Sequence, residues 1–90
     1  MEVIKRDKSR VPFDASKIEK AILKAMRYGS GMVDEKIAHE IASEIEQWHT
    51  NNGAKAIDIT RIEGQVFEKL IDKGAVLTAK AYEGYRKVRE

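Results

Sequence analysis

The sequence contains no cysteine in 90 residues, a single proline, only one Trp, three Tyr and two Phe, and no long hydrophobic run. The first absence removes a disulfide framework, a thiolate zinc site, an iron–sulfur cluster and any sulfur nucleophile or thiyl radical from this chain. No apolar stretch approaches the roughly 18 residues that a membrane span requires, and the opening MEVIKRDKSR lacks the apolar segment of a signal peptide. A cytoplasmic protein with no membrane partner is therefore expected. A charge excess of one sign is also missing: 17 Lys and Arg against 15 Asp and Glu leave +2, too little by itself to argue for a nucleic-acid partner. What is present, 42% hydrophobic and 36% charged residues, is the make-up of an ordinary globular domain. A chain of this size buries about 60 to 65% of its unfolded surface, enough for one modest core, so residues 1–90 are expected to form a single domain.

The charges are unevenly spread. Residues 1–27 carry eight Lys/Arg against four Asp/Glu (+4), residues 28–72 four against nine (−5), and residues 73–90 five against two (+3). Chain ends of small domains often lie close together, in which case the two basic ends combine into one anion-attracting face. Scattered solvated lysines are the plainer alternative.

Periodicity divides the chain. Residues 2–13, EVIKRDKSRVPF, predict a β-hairpin turning at Asp7-Lys8, with Lys8 where glycine is preferred if the turn needs positive φ. Pro12 lacks a backbone donor and puts the returning strand at a sheet edge. Ile18, Ala21, Ile22, Ala25 and Met26 form the stripe of a first helix, with a Ser16–Glu19 capping box and Asp14 competing for the cap. Gly29-Ser30-Gly31 ends it. A second helix is predicted over about 33–49, lined by Ile37, Ile41, Ile45 and Trp48 with Ala38 and Ala42 beside them. A third starts at Asp58, with Ile57 and Ile62 as a hydrophobic staple, runs through Val66, Phe67 and Leu70, and ends at Gly74. The last, about 75–89, is expected to bury Leu77, Ala81, Tyr82, Tyr85 and Val88, with Gly84 inside it. The predicted fold is mainly α (α+β): a short N-terminal β-hairpin packed on a four-helix cluster.

Most chemical motifs are missing. Gly29-Ser30-Gly31 is followed by Met32 rather than the Gly-Lys-Ser/Thr of a phosphate loop. His39 and His49, ten residues apart on one helix, lie about 80° apart around it and roughly 15 Å along it, so they cannot share a metal; both are expected to face solvent. The acidic residues fall mostly on polar helix faces, and most of the aromatics Phe13, Tyr28, Trp48, Phe67, Tyr82 and Tyr85 fall on apolar stripes, so core packing rather than base stacking is expected for each. The hairpin stands out. Lys5, Arg6, Lys8 and Arg10 gather within six residues, Lys17 follows in the first helical turn, and the amides opening that helix would add donors and a positive dipole end. Such a place suits a polyphosphate, with lysine as a point charge and arginine as a fork.

Four segments carry a resemblance: the run Val3-Ile4-Lys5-Arg6-Asp7-Lys8-Ser9-Arg10-Val11-Pro12-Phe13-Asp14, then Lys17-Ile18 with Ala21-Ile22, then Ile57-Asp58-Ile59-Thr60-Arg61-Ile62-Glu63, and Ala79-Lys80-Ala81-Tyr82 continuing to Tyr85-Arg86-Lys87-Val88-Arg89. Together they resemble the ATP-cone over nearly the whole chain, a nucleotide-binding module of ribonucleotide reductases and of a repressor of their genes. The ending is most similar to the anaerobic, class III ribonucleoside-triphosphate reductases. The resemblance implies ATP or dATP as effector between hairpin and helices, with Mg2+ as a candidate companion. Lys5, Arg6 and Lys17 would contact the phosphates; Val3 and Ile18 would bound the nucleotide; Ile59 and Ile62 would flank the base; Glu63 would lie near the base or sugar; and Lys87 would complete the phosphate site. Two departures are Lys8 in place of the usual hairpin glycine and Gly64 where an acidic residue is common.

The reading that follows is an allosteric module, not an enzyme in itself, that binds ATP or dATP without hydrolysis. It would control a reductase's activity or oligomeric state through contact with its catalytic domain or subunit or through a nucleotide-dependent homo-oligomer. An effector shifts such an equilibrium only by its differential affinity for the two states. The alternative is the cone of a nucleotide-controlled transcriptional repressor, although such repressors resemble this module with a cysteine zinc ribbon ahead of it. A nucleotide-hydrolysing enzyme ranks lower, since neither a general base nor a phosphate loop is identified.

Overall fold

The computed structural model describes residues 1–53 and 55–89, with side chains described for 1–53 and 55–84. Strands β1 (Glu2–Ile4) and β2 (Arg10–Pro12) form the antiparallel hairpin, with Val3 opposite Val11. Its loop is closed by Lys8 N–H donating to the Lys5 carbonyl at 2.9 Å and by Lys5 N–H donating to the Ser9 carbonyl at 2.8 Å. This is the three-residue hairpin loop whose last residue takes left-handed backbone, and Lys8 occupies that place with φ 71°. Lysine there adopts the geometry a glycine would take, at a cost of about 1 kcal/mol, and sets a cation at the loop tip. Asp7 steadies the turn by accepting from Ser9 Oγ at 2.6 Å and from Ser9 N–H at 3.0 Å.

A third strand, β3 (Ala56–Asp58), pairs in parallel with β1, placing Val3 opposite Ile57 and Ile4 opposite Asp58 in the order β2-β1-β3. The hairpin expected from the sequence is thus part of a three-stranded sheet. Three residues are too few to show a strand's alternation, and the partner of β3 lies at the opposite end of the chain's first half. Pro12 sits on the edge strand, where its missing donor breaks no ladder.

The four helices are α1 (Ala15–Tyr28), α2 (Glu35–Asn51), α3 (Ile59–Asp72) and α4 (Val76–Arg89). Aspartate opens the first three. Asp14, Asp34 and Asp58 each accept from the backbone N–H two residues on, and Ser16 and Thr60 add hydroxyl donors to Asp14 and Asp58 at 2.6 and 2.7 Å. Asp14 therefore caps α1 in place of the Ser16–Glu19 box, because its carboxylate reaches the orphan amide and the hydroxyl together. Gly74, at φ 80°, ends α3 in a Schellman motif: Ala75 N–H donates to the Leu70 carbonyl and Gly74 N–H to that of Ile71.

These side-chain and backbone hydrogen bonds, from Ser9, Ser16 and Thr60, hold the carboxyls of Asp7, Asp14 and Asp58 below the ordinary aspartate range. A carboxyl depressed in the folded state adds stability that is present above its unfolded pKa and is lost as pH falls through the folded one. The thermal midpoint should accordingly hold level near neutrality and fall below about pH 4. Exchanging Asp14 and Asp58 for asparagine, which caps without titrating, should flatten that acid limb in a calorimetric series. An unchanged limb would assign it to other carboxyls.

The core is assembled from Ile22, Ala25 and Met26 of α1, Ala38, Ile41 and Ile45 of α2, Ile62, Val66 and Leu70 of α3, Ala79 and Tyr82 of α4, and Val3 and Ile57 of the sheet. Helix α1 packs on α2 and α4, and α3 packs on the same two. Three placements differ from expectation. Leu77 is 59% exposed, because the inward face of α4 runs through Thr78, Ala79 and Tyr82 and leaves Leu77 pointing off it. Tyr28, at the last residue of α1, is 77% exposed. His49 is fully buried: it stands four residues beyond Ile45 and so continues the apolar face of α2. The expected burial of Tyr85 and Val88 falls outside the described side chains.

Candidate functional site

The parallel β1–β3 pairing builds the site. Both strands run the same way with Ile4 beside Asp58, so the chain leaves β1 into the hairpin loop and leaves β3 into α3 at one end of the sheet. The basic residues that follow Ile4 and the isoleucines that follow Asp58 are thereby brought together, and the first turn of α1 closes a third side. The result is an open cleft of about 510 Å3, within the usual range for small-molecule sites.

Among the described residues three cations face this cleft: Lys5 and Arg6 from the loop and Lys17 from α1. Its apolar wall comes from Ile18 and Ala21 of α1 and Ile59 and Ile62 of α3, with Tyr82 of α4 at its edge. Asp7 and Glu63 bring negative charge. Arg6 Nη2 lies 2.8 Å from Glu63 Oε1, an ion pair joining the hairpin loop to α3. The charges of Lys8 and Arg6 also reach Asp58, the cap of α3, and add to the hydrogen bonds from Thr60 in favouring its ionised form.

Seven residues singled out from the sequence line this one cleft: Lys5, Arg6, Lys17, Ile18, Ile59, Ile62 and Glu63. Val3 is 7% exposed and belongs to the core beneath the sheet rather than to the cleft wall. Lys87 lies outside the described side chains. The expectation of free amide donors at the start of α1 is corrected, since the Asp14 carboxylate occupies that position and accepts from Ser16 N–H, and Lys17 N–H donates to the Asp14 carbonyl. Helix α1 brings the ammonium of Lys17 to the cleft. Sequence reasoning did not assign Asp7, Ala21 or Tyr82 to the cleft. Ala21 could have been found by extending the Lys17–Ile18 face one turn, whereas Tyr82 reads as core by its periodicity and is in fact buried while still reaching the cleft edge.

Other polar features have structural roles. His49 Nε2–H donates to the Glu2 carbonyl at 2.9 Å, its ring meets Phe13 edge-on at 5.1 Å between centroids, and it ties the end of α2 to β1. Its burial corrects the expectation of a solvent-facing residue. His39 is exposed as expected and pairs with Glu19 at 2.9 Å. Lys69 of α3 and Lys73, the residue that caps its C-terminus, pair with Glu44 of α2 at 3.3 and 3.2 Å. Among the described residues no cluster of three or more His, Cys, Asp or Glu is arranged to hold a metal ion. No helix among the described residues is long and apolar enough to cross a membrane. A smaller cleft of about 180 Å3 between α3 and α4 shares Tyr82, but Glu68 and Glu83 on its rim oppose an anionic ligand.

What the larger cleft can do chemically is bind. It offers cations and a guanidinium fork together with an apolar wall, the set of groups that fits a nucleoside polyphosphate. In comparison with known proteins, the family model described as the ATP cone domain matches residues 1–90. No curated protein matches the sequence.

Proposed function

Because the chain belongs to the ATP-cone family, whose members are regulatory modules that bind ATP or dATP as effectors, we propose that the cleft over Lys5, Arg6 and Lys17 is its nucleotide site. The observation that carries this reading is the convergence of those three cations from two separated segments beside the apolar wall of Ile18, Ile59 and Ile62. Lys5 and Lys17 serve as point charges for the phosphates and Arg6 as a fork, while the isoleucines flank the adenine and Glu63 stands near the sugar or base. Lys87 is the candidate for a further phosphate contact. Mg2+ would arrive as a complex with the phosphates, since the cleft carboxylates Asp7 and Glu63 alone make a poor magnesium cage.

The module holds the nucleotide without cleaving it. Its output is a shifted equilibrium in the activity or oligomeric state of a ribonucleotide reductase inside the cytoplasm, the anaerobic class being the one that the ending of this sequence resembles. Calorimetry with ATP and dATP, paired with a phosphate-release assay, tests this directly: binding of either nucleotide with no phosphate released is expected. Absence of binding, or turnover, would reject it. Native mass spectrometry in the same titration reports any nucleotide-dependent homo-oligomer, and salt-sensitive retention on DNA would move the assignment to the repressor class.

A further inference from the structure

Of the three cations that the described residues bring to the cleft, Arg6 is already engaged. Among the described residues neither Lys5 nor Lys17 has a carboxylate within ion-pair distance, whereas the Arg6 guanidinium is 2.8 Å from Glu63, whose side chain is only 12% exposed. A carboxylate and a phosphate present the same thing to a guanidinium, a pair of anionic oxygens spaced to match its fork. Arg6 belongs to the hairpin loop and Glu63 to the opening of α3, so their pairing also straps one wall of the cleft to another.

We propose that Glu63 is a built-in anion that competes with the polyphosphate for Arg6, so that occupancy of the cleft unstraps the hairpin loop from α3. This rests on the cleft being the nucleotide site. Lys5 and Lys17 receive the phosphates first, and recruitment of Arg6 must break the contact with Glu63. The carboxylate thus weakens binding and couples it to a movement of the loop, which turns a binding event into a conformational one.

Inorganic tripolyphosphate is the suitable probe because it has no base or sugar for Glu63 to touch. The full chain, Glu63→Gln, Arg6→Gln and the double variant are titrated calorimetrically, each after a melting curve. Glu63→Gln should bind tripolyphosphate about fivefold more tightly, the size of effect a partly exposed ion pair supports, and in the Arg6→Gln background the same change should do nothing. Equal tightening in both backgrounds would reduce Glu63 to general charge repulsion, and no tightening would remove it as a competitor; either result overturns the proposal. In the unaltered chain, carbon-detected NMR should show the Glu63 carboxyl resonance moving as tripolyphosphate is added, and a stationary signal in a chain that binds the probe would also overturn it. A chain that binds neither ATP nor tripolyphosphate would sink the site itself, an outcome distinct from ATP binding with the competition pattern absent.

Discussion

Gly29→Ala is expected to lower the unfolding free energy by about 3 kcal/mol, the upper part of the range for overpacking, and to show as a large drop in denaturation midpoint. Gly29 is the C-terminal cap of α1, where the chain passes directly over the first turn of α4. A Cβ built there would stand 2.6 Å from the Leu77 carbonyl oxygen and 2.9 Å from its carbon. Both are backbone atoms, so no rotamer change relieves the clash, and α1 must separate from α4. Because Ile22, Ala25 and Met26 of α1 are buried in the core that α4 helps to close, that separation opens apolar packing along the helix pair. Gly31 and Gly53 serve as controls of a different kind, since a Cβ on either meets nothing within 4 Å and only their positive φ opposes substitution. A Gly29→Ala protein as stable as the parent would mean that α1 and α4 do not approach as described.

The Lys5→Ala, Lys17→Ala double variant is expected to lose about 100-fold or more in ATP affinity, two charge-assisted contacts at roughly 1.5 kcal/mol or more each, while melting close to the parent. Lys5 and Lys17 are the cleft cations whose removal breaks no ion pair among the described residues. Arg6→Ala is a less clean test, since it also removes the ion pair that ties the largely buried Glu63 carboxylate to the hairpin loop and so mixes a binding loss with a fold penalty. Calorimetric titration in low and moderate salt checks the claim, and the parent's affinity should fall more steeply with salt than the variant's. Retained affinity in the double variant would place the phosphates elsewhere.

Much of this was legible in the chain itself. The stripes Ile18–Met26, Ile37–Trp48 and Ile62–Leu70 announced three helices, and Asp58 and Gly74 marked the limits of the third, because periodicity and capping act over a few residues. Lys8 in left-handed backbone was legible as a conflict between a tight turn and a residue with a Cβ. The failures share one cause. Leu77, Tyr28 and His49 were assigned by residue type or by partial periodicity, yet which side of a helix is covered depends on where the other elements lie. The strand β3 was invisible because its hydrogen-bond partner is β1, far away in sequence. For the site, Lys5, Arg6 and Lys17 stood out by charge; Ile18, Ile59, Ile62 and Glu63 entered only through family resemblance, since an isoleucine on a cleft wall and one at a core edge look alike in a sequence.

The sequence by itself determined the helices, their caps, the basic hairpin and the exclusion of sulfur chemistry, all consequences of short-range sterics, hydrogen bonding and composition. Only the tertiary structure decided that the hairpin and α3 leave a common sheet in the same direction and that Arg6 is held by Glu63. Those outcomes depend on a parallel pairing between segments separated by two helices, and no local pattern of residues encodes the geometry of a contact made across that distance.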